Sequence, residues 1–187
     1  MLPSIPDFDH NLVLPPHIGD PRNHADLSPY PCTTVDLCRK FATSPERREI
    51  LTKFLDFRER LSSAGLTQGF QWLDGSFVED IETQEKRAPR DLDVVTFYWG
   101  YDMTFQHKLN TEIPEFFNPT LAKAMFSLDH YPVDASYSPV LTVESTRYWA
   151  QLFSHNRLGV WKGMLKIKLN TPADDFDARQ TLSTISS

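Results

Sequence analysis

Asp91 and Asp93 stand one residue apart in Asp91-Leu92-Asp93-Val94-Val95. On a strand, residues i and i+2 point to one face, so both carboxylates would share a side while Leu92 and Val94 face the core. Two ionised carboxylates this close repel. A solvated edge tolerates that, and so does a cation. Magnesium suits the second case because it takes one or two carboxylates, keeps waters and bridges substrate phosphates. A lone Asp-x-Asp pair is more often a solvated strand edge, but the upstream context shifts the balance. Trp72-Leu73-Asp74 is a largely apolar segment ending in Gly75-Ser76. Glycine lets a backbone approach a phosphate closely, and adjacent amides with the Ser76 hydroxyl can donate to phosphate oxygens. A phosphate-holding turn and a metal-holding strand close in sequence are two halves of one site.

A third carboxylate is expected on a neighbouring strand. Asp134, in Tyr131-Pro132-Val133-Asp134-Ala135-Ser136, is the best candidate, as a metal ligand or as general base on an incoming hydroxyl. A plain surface aspartate is an equal reading. Asp129 is the runner-up and is expected to precede the strand. Arg147, His155, Arg157 and Lys162 cluster late in the chain, with Arg147 and Lys162 as candidates to hold a triphosphate. The plainer reading is a charged helix end. His155 reads as a capping or surface group, and His10, His17 and His24 as incidental. Trp99 or Tyr98 is a minority candidate for base stacking. The run Lys86-Arg87-Ala88-Pro89-Arg90 reads as solvated, although its position could place it over a triphosphate. No Gly-x-Ser-x-Gly elbow surrounds Ser76 and no Ser-His-Asp pattern is legible, which argues against a hydrolase nucleophile there.

The elements that must position these groups are legible in outline. Residues 1–31 hold seven of the fourteen prolines, which predicts an extended arm. A short helix is expected over Val35 to Phe41. A longer one follows Ser44 as cap and Pro45 in the first turn, buries Ile50, Leu51, Phe54, Leu55, Phe57 and Leu61, and ends at Gly65. Strands are expected at Gly69–Asp74, Leu92–Phe97, Tyr131–Tyr137 and Trp161–Leu169, with a loop over 79–91. Helix is expected in the second half of 113–127 and over Thr142–His155. The polar tail, 171–187, is expected to fray. The domain between arm and tail, 32–170, reads as α+β: a mixed sheet with helices packed mainly on one face.

Composition sets the frame. The 187 residues are 40% hydrophobic, 24% charged and 12% aromatic, enough for one cored domain. A net charge of -6 argues against general nucleic-acid binding while leaving room for a local basic patch. No apolar run suggests a membrane span, and the N-terminus lacks the pattern of a secretory signal, so a cytoplasmic location is expected. Cys32 and Cys38 fit no zinc or redox spacing and read as reduced thiols.

At Leu73-Asp74-Gly75-Ser76, fourteen residues, then Asp91-Leu92-Asp93-Val94-Val95, the sequence resembles the nucleotidyltransferase superfamily related to DNA polymerase beta. Asp74 stands where that pattern has a hydrophobic residue, and Arg90 where it has a serine. With GFQWLDGSFVE, PRDLDVVTFY, YPVDASY and SHNRLGVWKGMLKI, the chain also looks like a bacterial family of small nucleotidyltransferase-like proteins. The resemblance implies a palm-like fold and transfer of a nucleoside monophosphate from a triphosphate to a hydroxyl on protein, RNA or a small molecule. It implies Mg2+ or Mn2+ held by Asp91, Asp93 and Asp134, with nucleotide held by Gly75, Ser76, Lys162 and Arg147. The alternative is a non-catalytic scaffold, such as a toxin–antitoxin or phage-defence component. A protein partner or homodimer would then supply further surface.

Overall fold

Strands form where apolar residues alternate sides between turn formers, and five of them make one sheet. A computed structural model describes residues 5–185; the first four residues of the expected arm and the last two of the expected tail lie outside it. The strands are β1 (Tyr30–Pro31), β2 (Gly69–Asp74), β3 (Leu92–Tyr98), β4 (Leu128–Asp134) and β5 (Leu165–Lys168), in spatial order β1-β5-β2-β3-β4. β2 runs antiparallel to both β3 and β5, while β3–β4 and β1–β5 are parallel pairs, so the sheet is mixed. The helices are α1 (Thr34–Phe41), α2 (Pro45–Ser63), α3 (Ile81–Glu85), α4 (Met103–Glu112), α5 (Pro119–Phe126), α6 (Pro139–Phe153) and α7 (Pro172–Ile185). The fold is α+β. No helix among the described residues is long and apolar enough to cross a membrane.

The strand period sorts the side chains into two cores. Leu73, Leu92, Val94, Tyr98, Leu128, Leu165 and Ile167 face the larger one. There they meet Phe54 and Phe57 of α2, Leu37 and Phe41 of α1, Leu109 of α4, Phe126 of α5 and Leu182 of α7. Trp72, Val95, Phe97, Val133 and Met164 face the other side, where α6 packs Phe153 and half-buried Trp149 against them. α2 is fixed locally as well as by packing: the Ser44 hydroxyl accepts from Arg47 N–H, and Pro45 opens the helix. Removing the Phe57 ring, fully buried against Phe126 and His130, would cost about 3–5 kcal/mol.

The buried Arg58 guanidinium crosses the larger core. It donates to both Asp175 oxygens at 3.0 Å, to Gln71 Oε1 at 2.7 Å, to Thr171 Oγ1 at 2.8 Å and to the Lys168 carbonyl at 3.1 Å. Gln71 continues to Thr96 and Thr96 to His130. Burial pushes His130 down to about 3, so it is neutral.

Several elements differ from expectation. The tail is not frayed over the described residues: α7 docks on α1 and α2 through Ala178, Leu182 and the Asp175–Arg58 pair. The arm is anchored by buried Ile5, Val13, Leu14 and Tyr30. α4 was not expected, and the 79–91 loop contains α3. The expected strand at Tyr131–Tyr137 lies three residues earlier, at Leu128–Asp134, because left-handed Ser127 ends α5 and turns the chain straight into β4. Cys32 and Cys38 are free and buried, and burial pushes both up to about 12.

Candidate functional site: an acidic row beside a glycine–serine turn

Register decides which carboxylates meet. Asp74 of β2 pairs across with Asp93 of β3, and Asp93 pairs with Asp129 of β4. The three therefore form a row across adjacent strands, on the same face as Trp72, Val95 and Tyr131. Neighbouring strands lie about 4.8 Å apart, so like charges here are close enough to destabilise one another. Asp91 lies just before β3 at the same end. Gly75 and Ser76 turn the chain out of β2 beside the row, and a short 3-10 turn, Ser76–Val78, follows.

Gly75 is required twice over. Its φ of +83° lies in the left-handed region, and an added Cβ would sit 2.6 Å from Asp93 Oδ2. The turn is held from below by buried Arg47, which donates to the Phe77 carbonyl at 2.6 Å and the Glu79 carbonyl at 2.7 Å while pairing with Glu82 at 2.6 Å.

Two lysines serve the two ends of the cluster. Lys162 is buried; its ammonium lies 2.6 Å from Glu79 Oε1, 3.0 Å from Asp74 Oδ1 and 3.2 Å from the Gly75 carbonyl. Burial pulls its pKa down, but Asp74 and Glu79 outweigh that and leave it raised. Asp74 Oδ1 is buried and, despite that ion pair, has no well-aligned hydrogen bond. Lys123 of α5 reaches Asp91 at 2.7 Å, and its bond to Asp91, with Asp129 and Asp93 nearby, holds its pKa up. Burial pushes Asp74 up to about 7 against the pull of Lys162. Burial, then Asp91 and Asp129, pushes Asp93 up to about 6.

The loop after α6 closes the far side. Asn156 Oδ1 accepts from Leu158 and Val160 N–H, both at 2.9 Å, and Lys162 N–H donates to the Ser154 carbonyl at 2.8 Å. This tight loop presents His155, Asn156 and Arg157 to the cleft and returns the chain to place Lys162 under the turn. Gly163 then donates to the Leu14 carbonyl, with no room for a side chain against Pro15 of the arm. The resulting cleft, about 300 Å³, is lined by Asp74, Gly75, Ser76, Glu79, Asp91, Asp93, Lys123, Asp129, Arg157 and Lys162 among others.

Of the residues expected from sequence, Gly75, Ser76, Asp91, Asp93 and Lys162 are brought together. Asp134 is not. In the parallel register it lies beside Tyr98, five residues beyond Asp129, about 16 Å away at ~3.3 Å per residue. There it accepts from Gln106 Nε2 at 2.9 Å and from Ser136 N–H and Oγ at 2.9 and 2.7 Å, as the cap of a turn. Arg147 is also absent from the cleft; it sits exposed on α6, paired with Glu144 at 3.0 Å. Tyr98 and Trp99 belong to the end of β3 away from the acids. Asp129 stands where the third acid was sought, inside the strand rather than before it. Asp74, Glu79 and Lys123 were not anticipated as site residues.

Among the described residues, no group of three or more histidine, cysteine or acidic side chains is arranged to hold a metal ion. Lys123 occupies Asp91 and Lys162 occupies Asp74. That leaves Asp93 and Asp129 as the neighbouring pair with no Lys or Arg at ion-pair distance among the described residues, and they are the carboxylates that could hold a cation.

Fold and site together define an α+β protein with a five-stranded mixed sheet and an acid-lined cleft at one end of its central strands. Residues 6–168 match a family described as "Family of unknown function (DUF6932)", and the chain belongs to that family. Neither the curated proteins nor the solved structures give a match to this chain.

Proposed function

We propose that this protein is a metal-dependent nucleotidyltransferase that moves a nucleoside monophosphate from a nucleoside triphosphate to a hydroxyl. The observation that carries the reading is the Asp74–Asp93–Asp129 row running into the Gly75–Ser76 turn with the Lys162 ammonium beneath it. A triphosphate needs donors and cations on one side and charge compensation on the other. The Ser76 hydroxyl, the amides of the turn, Lys162 and Arg157 supply the first. The carboxylates repel a bare triphosphate, so a divalent cation must stand between them.

The residues present suit Mg2+ or Mn2+ in a two-carboxylate form, which is enough when phosphates and waters complete the shell. Asp93 and Asp129 would hold the ion, and Asp91 would join on release from Lys123. When bound, the ion offsets charge on the triphosphate and the departing pyrophosphate. The chain's own residues do the remainder. Gly75 keeps the turn close enough to Asp93 for phosphate and carboxylate to share one cation. Glu79 and Asp74 fix the Lys162 ammonium under the turn. Asp129 takes the role first sought in Asp134, as third acid beside the acceptor hydroxyl.

The test is label transfer from an α-labelled triphosphate together with magnesium-dependent nucleotide binding by calorimetry. Asp93→Asn should lose both while keeping a cooperative thermal transition; undiminished transfer by that variant dismisses the assignment. A second reading, a non-catalytic scaffold that docks a partner, is favoured by one observation. Only Phe153 of α6 is buried, and Val140, Leu141, Val143, Tyr148 and Leu152 are exposed. Failure to bind nucleotide with magnesium, alongside a stable partner in pull-down, would select it.

A further inference from the structure

A second cavity, on the far side of the acidic row, has no part in that account. Tyr131 follows Asp129 by two residues and shares its face of β4, while α6 sets Tyr148, Trp149 and Leu152 against it. With Asp93, Asp129 and Phe153 these enclose about 310 Å³. The Trp149 ring centre lies 4.9 Å from those of Tyr131 and Tyr148, at interplanar angles of 39° and 79°. Asp93, Asp129, Leu152 and Phe153 line this cavity and the ionic cleft alike, so the two abut along the row.

Their chemistry divides cleanly. Lys162, Lys123, Arg157 and Arg87 all line the first cavity, and no cation lines the second. Phosphates therefore belong in the first. The second offers aromatic faces and an apolar wall around two carboxylates, which suits a flat neutral ring and repels an anion. Its two carboxylates, Asp93 and Asp129, sit at the boundary with the phosphate cleft, where a hydroxyl on such a ring would arrive.

We propose that this pocket receives the acceptor, and that the acceptor is a neutral compound carrying its reacting hydroxyl on an aromatic ring or one carbon from it. The assignment rests on the nucleotidyltransferase reading. In the step, the acceptor oxygen forms a bond to the α-phosphorus, and the bond from that phosphorus to the pyrophosphate oxygen breaks. Pyrophosphate leaves with the electron pair, and the hydroxyl proton passes to the Asp129 carboxylate; nothing is oxidised or reduced.

The test separates the pocket from the nucleotide site. Saturation-transfer NMR on the full chain without nucleotide, using 4-methylphenol and benzyl alcohol against glycerol, should give signals for the aromatic alcohols and none for glycerol. Tyr148→Ala, at an exposed position that puts the fold at little risk, should weaken 4-methylphenol by about threefold to tenfold. It should leave binding of magnesium with an α,β-methylene ATP analogue unchanged. Arg157→Ala, also exposed, should do the reverse. Absence of ring binding with nucleotide binding intact would overturn the pocket and leave the transferase reading standing. Equal weakening of both ligands by Tyr148→Ala would assign the pocket to the nucleobase and overturn the acceptor role. Ring binding with no metal-dependent nucleotide binding would remove the reading beneath the proposal, and the acceptor role with it.

Discussion

Arg58 and Lys162 are both almost wholly buried, and each is surrounded by oxygen, yet their surroundings differ in one respect. Arg58 meets one carboxylate, Asp175, and spends its remaining donors on neutral acceptors, Gln71, Thr171 and the Lys168 carbonyl. Its network is charge-balanced and closes on itself between α2, β2 and α7. Lys162 meets two carboxylates, Asp74 and Glu79, and Asp74 adjoins Asp93 and, through it, Asp129. That network carries surplus negative charge and opens on a cleft. A closed buried ion pair specifies packing. Under the proposed function, an open one with unspent charge is where a ligand would bind, and a closed one is not.

The comparison is broken most forcefully at Arg58. Arg58→Ala strips Asp175 of its charged partner and leaves Gln71 Oε1 without its donor inside the core, and should cost about 3–5 kcal/mol, read as a lower urea midpoint. A midpoint within error of wild type would mean that α7 is not held by this pair. Asp93→Asn should act in the opposite sense. It removes a like charge from the row, so stability should hold or rise by about 0.2–1 kcal/mol. Transfer should nevertheless fall at least about 10²-fold, ~2.7 kcal/mol of transition-state stabilisation. Parallel losses of stability and activity would erase the distinction between the two networks.

How much of this was legible beforehand follows from the same contrast. Gly75, Ser76, Asp91 and Asp93 were readable because their types and spacing carry meaning along a single stretch of chain. Lys162 was readable as a candidate cation, though not as the partner of Asp74 and Glu79. Asp129 ranks behind Asp134 in the sequence because the strand is expected to start at Tyr131, whereas β4 starts at Leu128. Only the parallel register of β4 on β3, set by Leu128 opposite Leu92, decides which lies beside Asp93. Asp74 looked like a departure from a hydrophobic position, yet its carboxylate is what balances Lys162. The tail reads as frayed because its sequence is polar; in the structure α7 buries only Ala178 and Leu182, and its docking depends on Arg58, more than a hundred residues away.

The acidity of the row should sharpen the contrast through pH. Asp74 and Asp93 sit at about 7 and about 6, above their ordinary value of 3.8. For carboxylates raised in the folded state, the folded chain binds more protons than the unfolded one between those values. Their contribution to stability is complete below about pH 3.8 and is lost as pH rises through about 6 and 7. The thermal midpoint should therefore fall from pH 5 to pH 8 on their account, and Asp93→Asn should flatten the part near pH 6. Magnesium, taking the place of the proton on the row, should raise the midpoint more at pH 8 than at pH 5. An equal shift at both values would mean that the ion does not bind these acids.

The smallest effects belong to the residues that resemble site groups but lie elsewhere. Asp134 accepts three hydrogen bonds at the far end of β4, so Asp134→Asn should cost about 0.5–1.5 kcal/mol. Arg147→Ala removes only an exposed pair with Glu144 and should change stability by less than about 0.5 kcal/mol. Neither should alter magnesium-dependent nucleotide binding, since no part of either side chain lines the cleft. The two variants are thus informative because they are quiet. Asp134 and Asp129 carry the same carboxylate on the same strand, so a difference in nucleotide binding between Asp134→Asn and Asp129→Asn isolates position from charge. Were Asp134→Asn to impair binding as strongly as Asp129→Asn, net negative charge rather than the geometry of the row would govern the ligand, and the cleft would lose its claim to be a site.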